Sequence, residues 1–405
     1  MRASTYALVD AAEAAALVMD RTPVLPAEDV MLADCPGRVL AEDLIAPAQL
    51  PPFPASAVDG YAIRAGDGGG RLRVVGESAA GRPLAGELPP GAAARILTGG
   101  VLPQGADTVV MVEDVDQADG WVLVPVGFPA GRNFHRPGDD LRQGELVIAH
   151  GEPLGPAEVG LAAALGLPRL RVLRRPRVAL MSTGDELVQV GQTPGPGQVV
   201  DSNRWGLLAA LREAGAIVTL LGVAPDQPDP LRELVVGALR DHDVLVTSGG
   251  VSVGTHDLVK PLLESLGEVH LGRVRLKPGK PFTFATLPTG RLAFGLPGFP
   301  VSSLVTFEVF VRPALRKMQG FGRPQRPRLP VRLGYEAKAA GDRTEYQRVS
   351  LRRDGGELVA LSTGSQSSSR LMSLAGAHAL VRVPPGNTGI AAGTVVDAII
   401  LSLPA

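Results

Sequence analysis

The stretch Asp243–Asp257, DVLVTSGGVSVGTHD, joins a short apolar run to a turn of glycines and small hydroxyl residues. Val244, Leu245 and Val246 are typical of a buried strand. The strand then ends at Thr247–Gly250, where glycine lets backbone N–H groups approach a ligand because no Cβ stands in the way. The stretch therefore predicts a strand that ends at a ligand site.

The segments around this strand alternate between strand and helix patterns. Strands are predicted in 177–187, 217–226, 243–250, 281–287 and 291–298, and helices in 202–215, 229–242, 256–267 and 300–318. For the first of these helices we expect Ser202 or Asn203 as the N-cap and Gly215 as the stop. The alternation indicates a mostly parallel sheet covered on both faces, and such sheets bind ligands beyond the carboxyl ends of their strands.

The remaining segments predict a multidomain α/β plus all-β fold. We expect an N-terminal helical linker domain (1–48 plus 141–175), an inserted small β domain (49–140), the α/β domain (176–322) and a C-terminal β-barrel-like domain (323–405). Short valine-rich runs broken by glycine indicate the inserted domain. An amphipathic helix is predicted at Ser4–Arg21, and a second helix at 155–167 is predicted to pack on it.

Composition excludes several classes of protein. The 405 residues are long enough for two to four domains, and 45% hydrophobic content can fill their cores. A net charge of −1 favours neither a nucleic-acid-binding nor a membrane-binding surface. Cys35 is the only cysteine, so an internal disulfide or a cysteine-based zinc site is excluded. With no leader pattern and no membrane-spanning run, we expect a soluble cytoplasmic protein.

Three glycine-bearing turns end strands of the predicted sheet. They are Ser182–Glu186 (STGDE), Thr247–Gly250 (TSGG) and Leu296–Gly298 (LPG). A turn that opens a helix directs its N–H groups at an anion. Any one of these turns could simply connect a strand to a helix, but three in one sheet favour a phosphate-bearing ligand. The chain has neither a P-loop nor a GxGxxG fingerprint.

Two lysines are set apart by their scarcity. The chain has 40 basic residues but only five lysines, and two of the five lie in the KPGK segment as Lys277 and Lys280. A compact ammonium suits a small oxyanion, whereas the planar guanidinium suits bidentate pairing. The pair therefore indicates an oxyanion site, with two solvated turn lysines as the alternative.

Acidic residues follow several of the predicted strand ends. Asp185 and Glu186 come after the first glycine turn, Asp226 follows a strand end and Asp257 ends the opening stretch, while Asp59 lies in a DGYA segment. Carboxylates at the rim of a phosphate site are what Mg²⁺ requires. For Asp257, capping of the following helix is an equal alternative.

Taken together, these motifs resemble the molybdopterin molybdenumtransferase family (MoeA and the gephyrin E domain). The segments that carry the resemblance are PPFPASAVDGYAIR, ILTGGVLPQGADTVVMVED, STGDEL, VVDSN, TSGGVSVGTHD, LKPGKPF, LPGFPVSSLVTF and TGSQSSSRLMSL, in this order. The resemblance spans nearly the whole chain. It implies a four-domain homodimer whose active site joins the α/β domain of one subunit to the DGYA-bearing domain of the other. It also implies an enzyme that inserts molybdate into adenylylated molybdopterin with Mg²⁺, releasing AMP and forming molybdenum cofactor.

The resemblance also implies roles for individual residues. The expected catalytic residues are Asp59, Thr98, Glu186, Asp226 and Asp257, of which Glu186, Asp226 and Asp257 are also expected to hold Mg²⁺. The residues expected to hold the pterin or its phosphates are Thr183, Gly184, Ser248, Gly249, Gly250, Ser252, Pro297 and Gly298. Those expected to grip molybdate are Lys277, Lys280, Arg348 and Ser368.

The chain departs from the family pattern at a few positions. Pro54 and Ala55 stand where Asp-Asn is usual, Phe299 replaces the asparagine of LPGNP, and His378 replaces an asparagine expected in a helix. No role is transferred to these residues.

Partners and alternative functions also follow from the resemblance. The implied partners are a molybdopterin adenylyltransferase and acceptor apo-molybdoenzymes, without nucleic acid or membrane. Two alternative functions remain: molybdopterin adenylyltransferase activity, and a non-enzymatic molybdopterin-binding carrier or scaffold.

Overall fold

The computed structural model describes residues 6–224, 227–250 and 258–404. Its N-terminal part contains β1 (Val9–Asp10), α1 (Ala11–Arg21), β2 (Ala27–Met31) and β3 (Leu44–Ile45). The next segment contributes β4 (Ala55–Ser56), β5 (Gly60–Ile63), β6 (Arg71–Ser78), β7 (Ala92–Ile96), β8 (Thr108–Met111), β9 (Asp116–Ala118), β10 (Trp121–Leu123) and β11 (Phe134–His135). The chain then forms β12 (Leu146–Ile148), α2 (Pro156–Ala164) and β13 (Arg169–Leu173).

The segment between the two N-terminal parts folds around its own sheet. Six strands pair in the order β8-β5-β7-β6-β10-β9. One side of the sheet buries Tyr61, Ile63 and Val110, and the other buries Ala62 and Val109. Strand β3 pairs with β12, and β2 pairs with β13, on either side of this segment. The sheet is therefore an insertion in the N-terminal part of the chain, as the sequence predicts.

The central part has the predicted alternation of strands and helices. It contains β14 (Arg177–Thr183), β15 (Leu187–Val188), β16 (Val199–Val200), α3 (Asn203–Glu213), β17 (Ile217–Ala224), α4 (Pro228–Asp241), β18 (Val244–Ser248), α5 (Val259–Leu266), β19 (Glu268–Lys277), β20 (Pro281–Leu287), β21 (Arg291–Leu296), α6 (Pro300–Thr306) and α7 (Arg312–Met318). Strands β17, β14, β18 and β21 are parallel neighbours, and β20 and β19 complete the edge by antiparallel pairing. The mostly parallel sheet is thus confirmed.

Helices cover both faces of this sheet. One face buries Leu180, Phe294 and Leu296 against α1, α3, α6 and α7. The other face packs Met181 and Leu245 against α4 and α5. Helices α6 and α7 form one continuous helix through a π-helical turn at Phe307–Val311. Both faces being covered explains why these strands are continuous apolar runs.

The two N-terminal helices lie apart from each other, in contrast to the predicted packing. Helix α1 buries Ala14 and Val18 in the core of the central sheet. Helix α2 instead packs Ala162 against a separate small cluster that includes Cys35 and Leu40. The helix predicted from Ser4 begins only at Ala11, because Val9–Asp10 is extended and pairs with β19.

The C-terminal part is a closed barrel of five described strands. They are β22 (Arg328–Leu333), β23 (Thr344–Asp354), β24 (Glu357–Ser362), β25 (Ala379–Val383) and β26 (Val395–Ile400). The pairings run β22-β24-β23-β25-β26 and return to β22, so the ring closes. Closure leaves no open edge along the ring.

The barrel is joined to the central sheet by backbone pairing. Strand β19 pairs in parallel with β23, with Leu276 opposite Thr344 and Lys277 opposite Glu345. Tyr346 and Leu380 of the barrel extend the core of the central sheet. The two regions therefore share one hydrogen-bonded sheet and one hydrophobic core at this junction.

Candidate functional site

A cavity of about 1140 Å³ opens at the carboxyl ends of β14, β18 and β21, between the central sheet and the barrel. Eleven residues predicted to act at the site lie in its wall: Thr183, Gly184, Glu186, Ser248, Gly249, Gly250, Lys277, Lys280, Pro297, Gly298 and Ser368. The place of the cavity follows from the topology, because parallel strands end at one edge of the sheet. Asp226, Ser252 and Asp257 lie outside the described residues.

The three glycine turns meet at this edge. The Gly249 N–H donates to the Leu296 carbonyl oxygen over 3.0 Å. A Cβ at Gly249 would lie 2.5 Å from the Thr183 carbonyl oxygen, and Gly249 has a φ of +88°. A Cβ at Gly298 would lie 3.9 Å from the Gly249 Cα. Only glycine at 249 therefore allows the second turn to pack between the first and the third.

Asn203 links the second turn to the third. Its Nδ2 donates to Ser248 Oγ over 2.8 Å and to the Gly298 carbonyl oxygen over 2.6 Å. Ser202 is the N-cap residue of α3, as predicted, although its side chain makes no capping hydrogen bond. The Asn203 side chain is drawn away from the helix by two partners that are distant in sequence. The VVDSN motif was the feature of the sequence that could have identified Asn203 as a residue of the site.

The first glycine turn places two carboxylates at the cavity. Asp185 and Glu186 are both exposed residues of its wall. A Cβ at Gly184 would lie 2.5 Å from Glu186 Oε2, so the glycine leaves space for that carboxylate. Asp201 also lines the wall, but it is 1% exposed and lies 3.1 Å from the Arg204 guanidinium. Among the wall carboxylates, Asp185 and Glu186 are therefore the ones open to a ligand.

The KPGK segment forms the tight turn between β19 and β20. The Val274 N–H donates to the Lys280 carbonyl oxygen over 2.9 Å, which closes the turn. Gly279 has a φ of +118°, and a Cβ there would collide with Thr306 Cγ2 of α6. The turn is therefore held against α6, and both of its lysines lie in the cavity wall.

Three cationic side chains line the cavity, and they differ in how their charge is balanced. Lys277 Nζ lies 3.0 Å from Glu345 Oε1, and the Glu345 side chain is only 3% exposed. Lys280 and Arg343 have no ion pair within residues 6–224, 227–250 and 258–404. Arg343 lies in the turn before β23 and gave no signal in the sequence. Positive charge thus reaches the cavity from both the central sheet and the barrel.

Arg348, predicted to grip molybdate, lies behind the wall rather than in it. Its side chain is fully buried, which lowers its pKa to about 10. The guanidinium donates to Ser373 Oγ and to the Ser367 carbonyl oxygen, each over 3.1 Å. Ser368, which does line the wall, accepts from the Val301 N–H over 3.1 Å through its carbonyl oxygen. Arg348 therefore supports the segment that carries Ser368.

Asp59 and Thr98 form a separate pair in the inserted sheet. The Thr98 backbone N–H and hydroxyl donate to Asp59 Oδ1 over 2.7 and 2.8 Å. These bonds, the backbone one first, hold the pKa of Asp59 below its usual range. Both residues are exposed, and neither belongs to the cavity wall of their own chain. The Asp59 carboxylate is therefore held in one orientation on the exposed surface of the inserted sheet.

Within the described residues, no group of three or more His, Cys, Asp or Glu side chains is arranged to hold a metal ion. Nor does any helix in this part of the chain combine the length and apolarity that crossing a membrane requires.

Three family models match the chain in sequence order. The MoeA N-terminal region (domain I and II) matches residues 9–166, the probable molybdopterin binding domain matches 179–317, and the MoeA C-terminal region (domain IV) matches 330–401. The chain belongs to the MoeA family.

Individual relatives agree with this membership. The molybdopterin molybdenumtransferase of Nostoc is 39% identical over 380 residues, covering 91% of this chain and 87% of its own. The gephyrin of Dictyostelium discoideum is 35% identical over 453 residues, and the match spans 63% of its length. The crystal structure of a MoeA protein from Pyrococcus horikoshii superposes with a TM-score of 0.81 at 32% identity, covering 97% of this chain and 99% of that chain.

The residues that differ from the expected motifs lie in three different parts of the structure. The Pro54 carbonyl oxygen accepts a hydrogen bond from the Leu102 N–H, and Ala55 lies opposite His135 in the pairing of β4 with β11. His378 lies in the turn before β25 rather than in the expected helix, and its Nδ1 accepts from the Leu351 N–H over 2.9 Å. Phe299 alone among them lies in the cavity wall, where it is 59% exposed.

Proposed function

We propose that this chain is a molybdopterin molybdenumtransferase, which inserts molybdate into adenylylated molybdopterin, releases AMP and forms molybdenum cofactor. Curated relatives covering most of the chain carry that enzyme name, which places the chain among the transferases of molybdenum cofactor biosynthesis. The observation that carries the proposal is the cavity, where three glycine turns and three cations face one space; two of these cations have no acid partner among the described residues.

In the proposed reaction two bonds to molybdenum form without a change of oxidation state. The two dithiolene sulfurs bind the metal, and one molybdate oxygen leaves as water with the two thiol protons. Water also adds across the phosphoanhydride, which separates AMP from the pterin phosphate. The sulfur and metal chemistry belongs to the substrates, so the protein supplies placement and charge.

The cations of the wall offset the charge of the substrates. Molybdate is a dianion beside a diphosphate, and at close range their repulsion amounts to several kcal/mol at a protein surface. We assign Lys280 and Arg343 to the oxyanion, because no carboxylate competes for them in the described structure. Lys277 and Ser368 complete the oxyanion wall, whereas Arg348 acts through the segment that carries Ser368.

The glycine turns are assigned to the phosphates and the pterin. Thr183, Gly184, Ser248, Gly249, Gly250, Pro297 and Gly298 surround the carboxyl ends of β14, β18 and β21. Turns of this kind direct N–H groups at phosphate oxygens. Ser252, beyond the described residues, is assigned to the same surface by its motif.

Mg²⁺ is assigned to the acidic side of the cavity. The exposed carboxylates of Asp185 and Glu186 are the hard oxygen donors that this ion takes, so the residues present fit it. Asp226 and Asp257 are assigned to the same ion and to positioning the attacking water. When bound, Mg²⁺ would neutralise part of the diphosphate charge.

We further propose that the enzyme is a cytoplasmic homodimer with the four domains predicted from the sequence, which receives substrate from an adenylyltransferase and supplies acceptor apo-molybdoenzymes. Asp59 and Thr98 lie outside the cavity wall of their own chain, so we assign them to the site of the other subunit. Their exposed position on the inserted sheet supports this arrangement.

The test is AMP release from adenylylated molybdopterin by purified protein with Mg²⁺, with and without molybdate. We expect molybdate to stimulate release and the product to activate an apo-molybdoenzyme. Binding without release would instead identify a carrier, and consumption of ATP with formation of adenylylated molybdopterin would identify an adenylyltransferase.

A mixing experiment tests the proposed intersubunit site. Asp59→Asn and Lys280→Gln are each expected to abolish activity when alone. If each site combines Asp59 of one subunit with Lys280 of the other, randomly reassembled mixtures recover about a quarter of wild-type activity. An inactive mixture in which differently tagged subunits co-purify as heterodimers would contradict the shared site.

A further inference from the structure

Phe299 is an exposed aromatic residue at the wall of the candidate site. It follows the third glycine turn and is 59% exposed, whereas Phe282, Phe284 and Phe294 of the same sheet are fully buried. An exposed phenyl ring leaves a large apolar area in water, which is unfavourable unless a partner covers it. The cavity is the space from which such a partner would reach it.

The backbone that carries this residue is fixed on both sides. Asn203 Nδ2 donates to the Gly298 carbonyl oxygen over 2.6 Å, immediately before Phe299. The Phe299 carbonyl oxygen accepts from the Ser303 N–H over 2.9 Å, in the first turn of α6. The Val301 N–H is bonded to Ser368 of the barrel over 3.1 Å. The residue is therefore held by the central sheet, by α6 and by the barrel before any ligand binds.

The same wall carries further apolar surface. Val199 and Val200 of β16 line the cavity and are 52% and 37% exposed. Their backbones are held to the first glycine turn, because the Val199 N–H donates to the Glu186 carbonyl oxygen over 2.8 Å. Apolar side chains in a pocket that also carries cations suit a ligand with a flat ring and charged groups.

We propose that Phe299 is a binding residue on which a planar heterocycle of the substrate stacks, either the pterin or the adenine. The proposal rests on the proposed function, because adenylylated molybdopterin supplies both rings. A conjugated planar heterocycle has a π face, and its stacking on an aromatic side chain contributes enough affinity to be measured by substitution. The asparagine that the resemblance implies at this position has no aromatic ring, so Phe299 adds a contact that asparagine could not make.

The experiment compares four proteins by calorimetry with adenylylated molybdopterin: wild type, Phe299→Tyr, Phe299→Leu and Phe299→Asn. Tyrosine keeps the ring, leucine keeps apolar bulk without a ring, and asparagine restores the family residue. We expect Tyr to bind within about twofold of wild type, and Leu and Asn to bind about tenfold more weakly. Competition with AMP and with 6-hydroxymethylpterin then identifies the ring, since only one of them loses affinity in the leucine variant.

Several outcomes would overturn the proposal. Leucine or asparagine variants that bind as tightly as wild type would exclude stacking, and so would equal losses in the tyrosine and leucine variants. Calorimetry measures binding and not turnover, so the test of stacking is independent of the test of the proposed function. Wild-type protein that binds through Phe299 but releases no AMP would overturn the proposed function alone, while normal release with unchanged affinity in Phe299→Leu would overturn the stacking alone.

Discussion

The Lys277 ammonium lies 3.0 Å from Glu345 Oε1, across the junction where β19 of the central sheet pairs with β23 of the barrel. Glu345 is buried, and its other carboxylate oxygen accepts from Gln347 Nε2 over 3.0 Å. The lysine, by contrast, lines the cavity. One residue of the site is therefore also part of the connection between two regions of the fold.

Removal of this lysine is expected to destabilise the protein as well as the site. Lys277→Gln leaves Glu345 buried without its counter-charge, which costs about 1–3 kcal/mol, towards the lower end because the lysine is partly solvated. Urea denaturation measures the change. The double variant Lys277→Gln/Glu345→Gln is expected to recover most of the loss, since neither charge remains. Purely additive losses would show that the pair does not interact.

Arg343 and Arg348 of the barrel are expected to have different roles. Arg343→Gln should weaken molybdate binding about tenfold without changing the melting temperature, because a partly exposed charge at the wall is lost. Arg348→Gln should lower the melting temperature, because its buried guanidinium holds the segment at 366–373. Arg353→Gln, an exposed position on β23, is the control and should change neither. Calorimetry with molybdate measures the affinity, and thermal denaturation measures the melting temperature. If only Arg348→Gln bound molybdate more weakly, Arg348 and not Arg343 would be the residue that binds the oxyanion.

The contact between the glycine turns predicts a large cost for a single methyl group. Gly249→Ala places a Cβ 2.5 Å from the Thr183 carbonyl oxygen at a φ of +88°. Gly364→Ala is the matched control, because its φ is +91° but no atom lies within 4 Å of the added Cβ. The control should lose about 1 kcal/mol and Gly249→Ala clearly more. Equal losses would mean that the turns can separate at no cost.

The hydrogen bonds to Asp59 predict a measurable titration. Thr98→Val removes the hydroxyl and keeps the backbone N–H, so the pKa of Asp59 should rise without reaching its ordinary value of about 3.9. Thr98→Ser should leave it unchanged. Because the pKa is depressed in the folded state, the stability it contributes is fully present above the ordinary value and is lost as pH falls through the folded one. NMR titration of the Asp59 carboxyl chemical shift gives the pKa. A titration curve in Thr98→Val identical to that of the wild type would show that the Thr98 hydroxyl does not lower the pKa of Asp59.

Local sequence patterns were enough to predict the place of the candidate site. The apolar runs that end at Thr183, Ser248 and Leu296 are each followed by a glycine turn, and parallel topology brings those ends together. The lysines of the KPGK turn were predicted to belong to the site because lysine is rare in this chain. These features depend on residues that are close in sequence, which is why periodicity and turn chemistry identify them.

Features that depend on distant pairings were missed. Arg343 reaches the wall because β23 pairs with β19, which no local pattern encodes. The motif around Arg348 indicated function, but its position in a barrel strand buries it. Likewise, Val9–Asp10 had a helical pattern and became extended because a partner strand was present at Val274–Arg275. Tertiary context overrides local propensity in each case.

Because Leu276 pairs with Thr344 in one continuous ladder, the two cation-bearing walls are parts of a single frame. Backbone hydrogen bonds at this junction fix how far apart the two walls lie where they meet. A frame of that kind sorts oxyanions by diameter and charge. Tetrahedral dianions of equal size, such as molybdate and tungstate, are therefore expected to enter it on equal terms, which leaves any discrimination between the two metals to the sulfur chemistry.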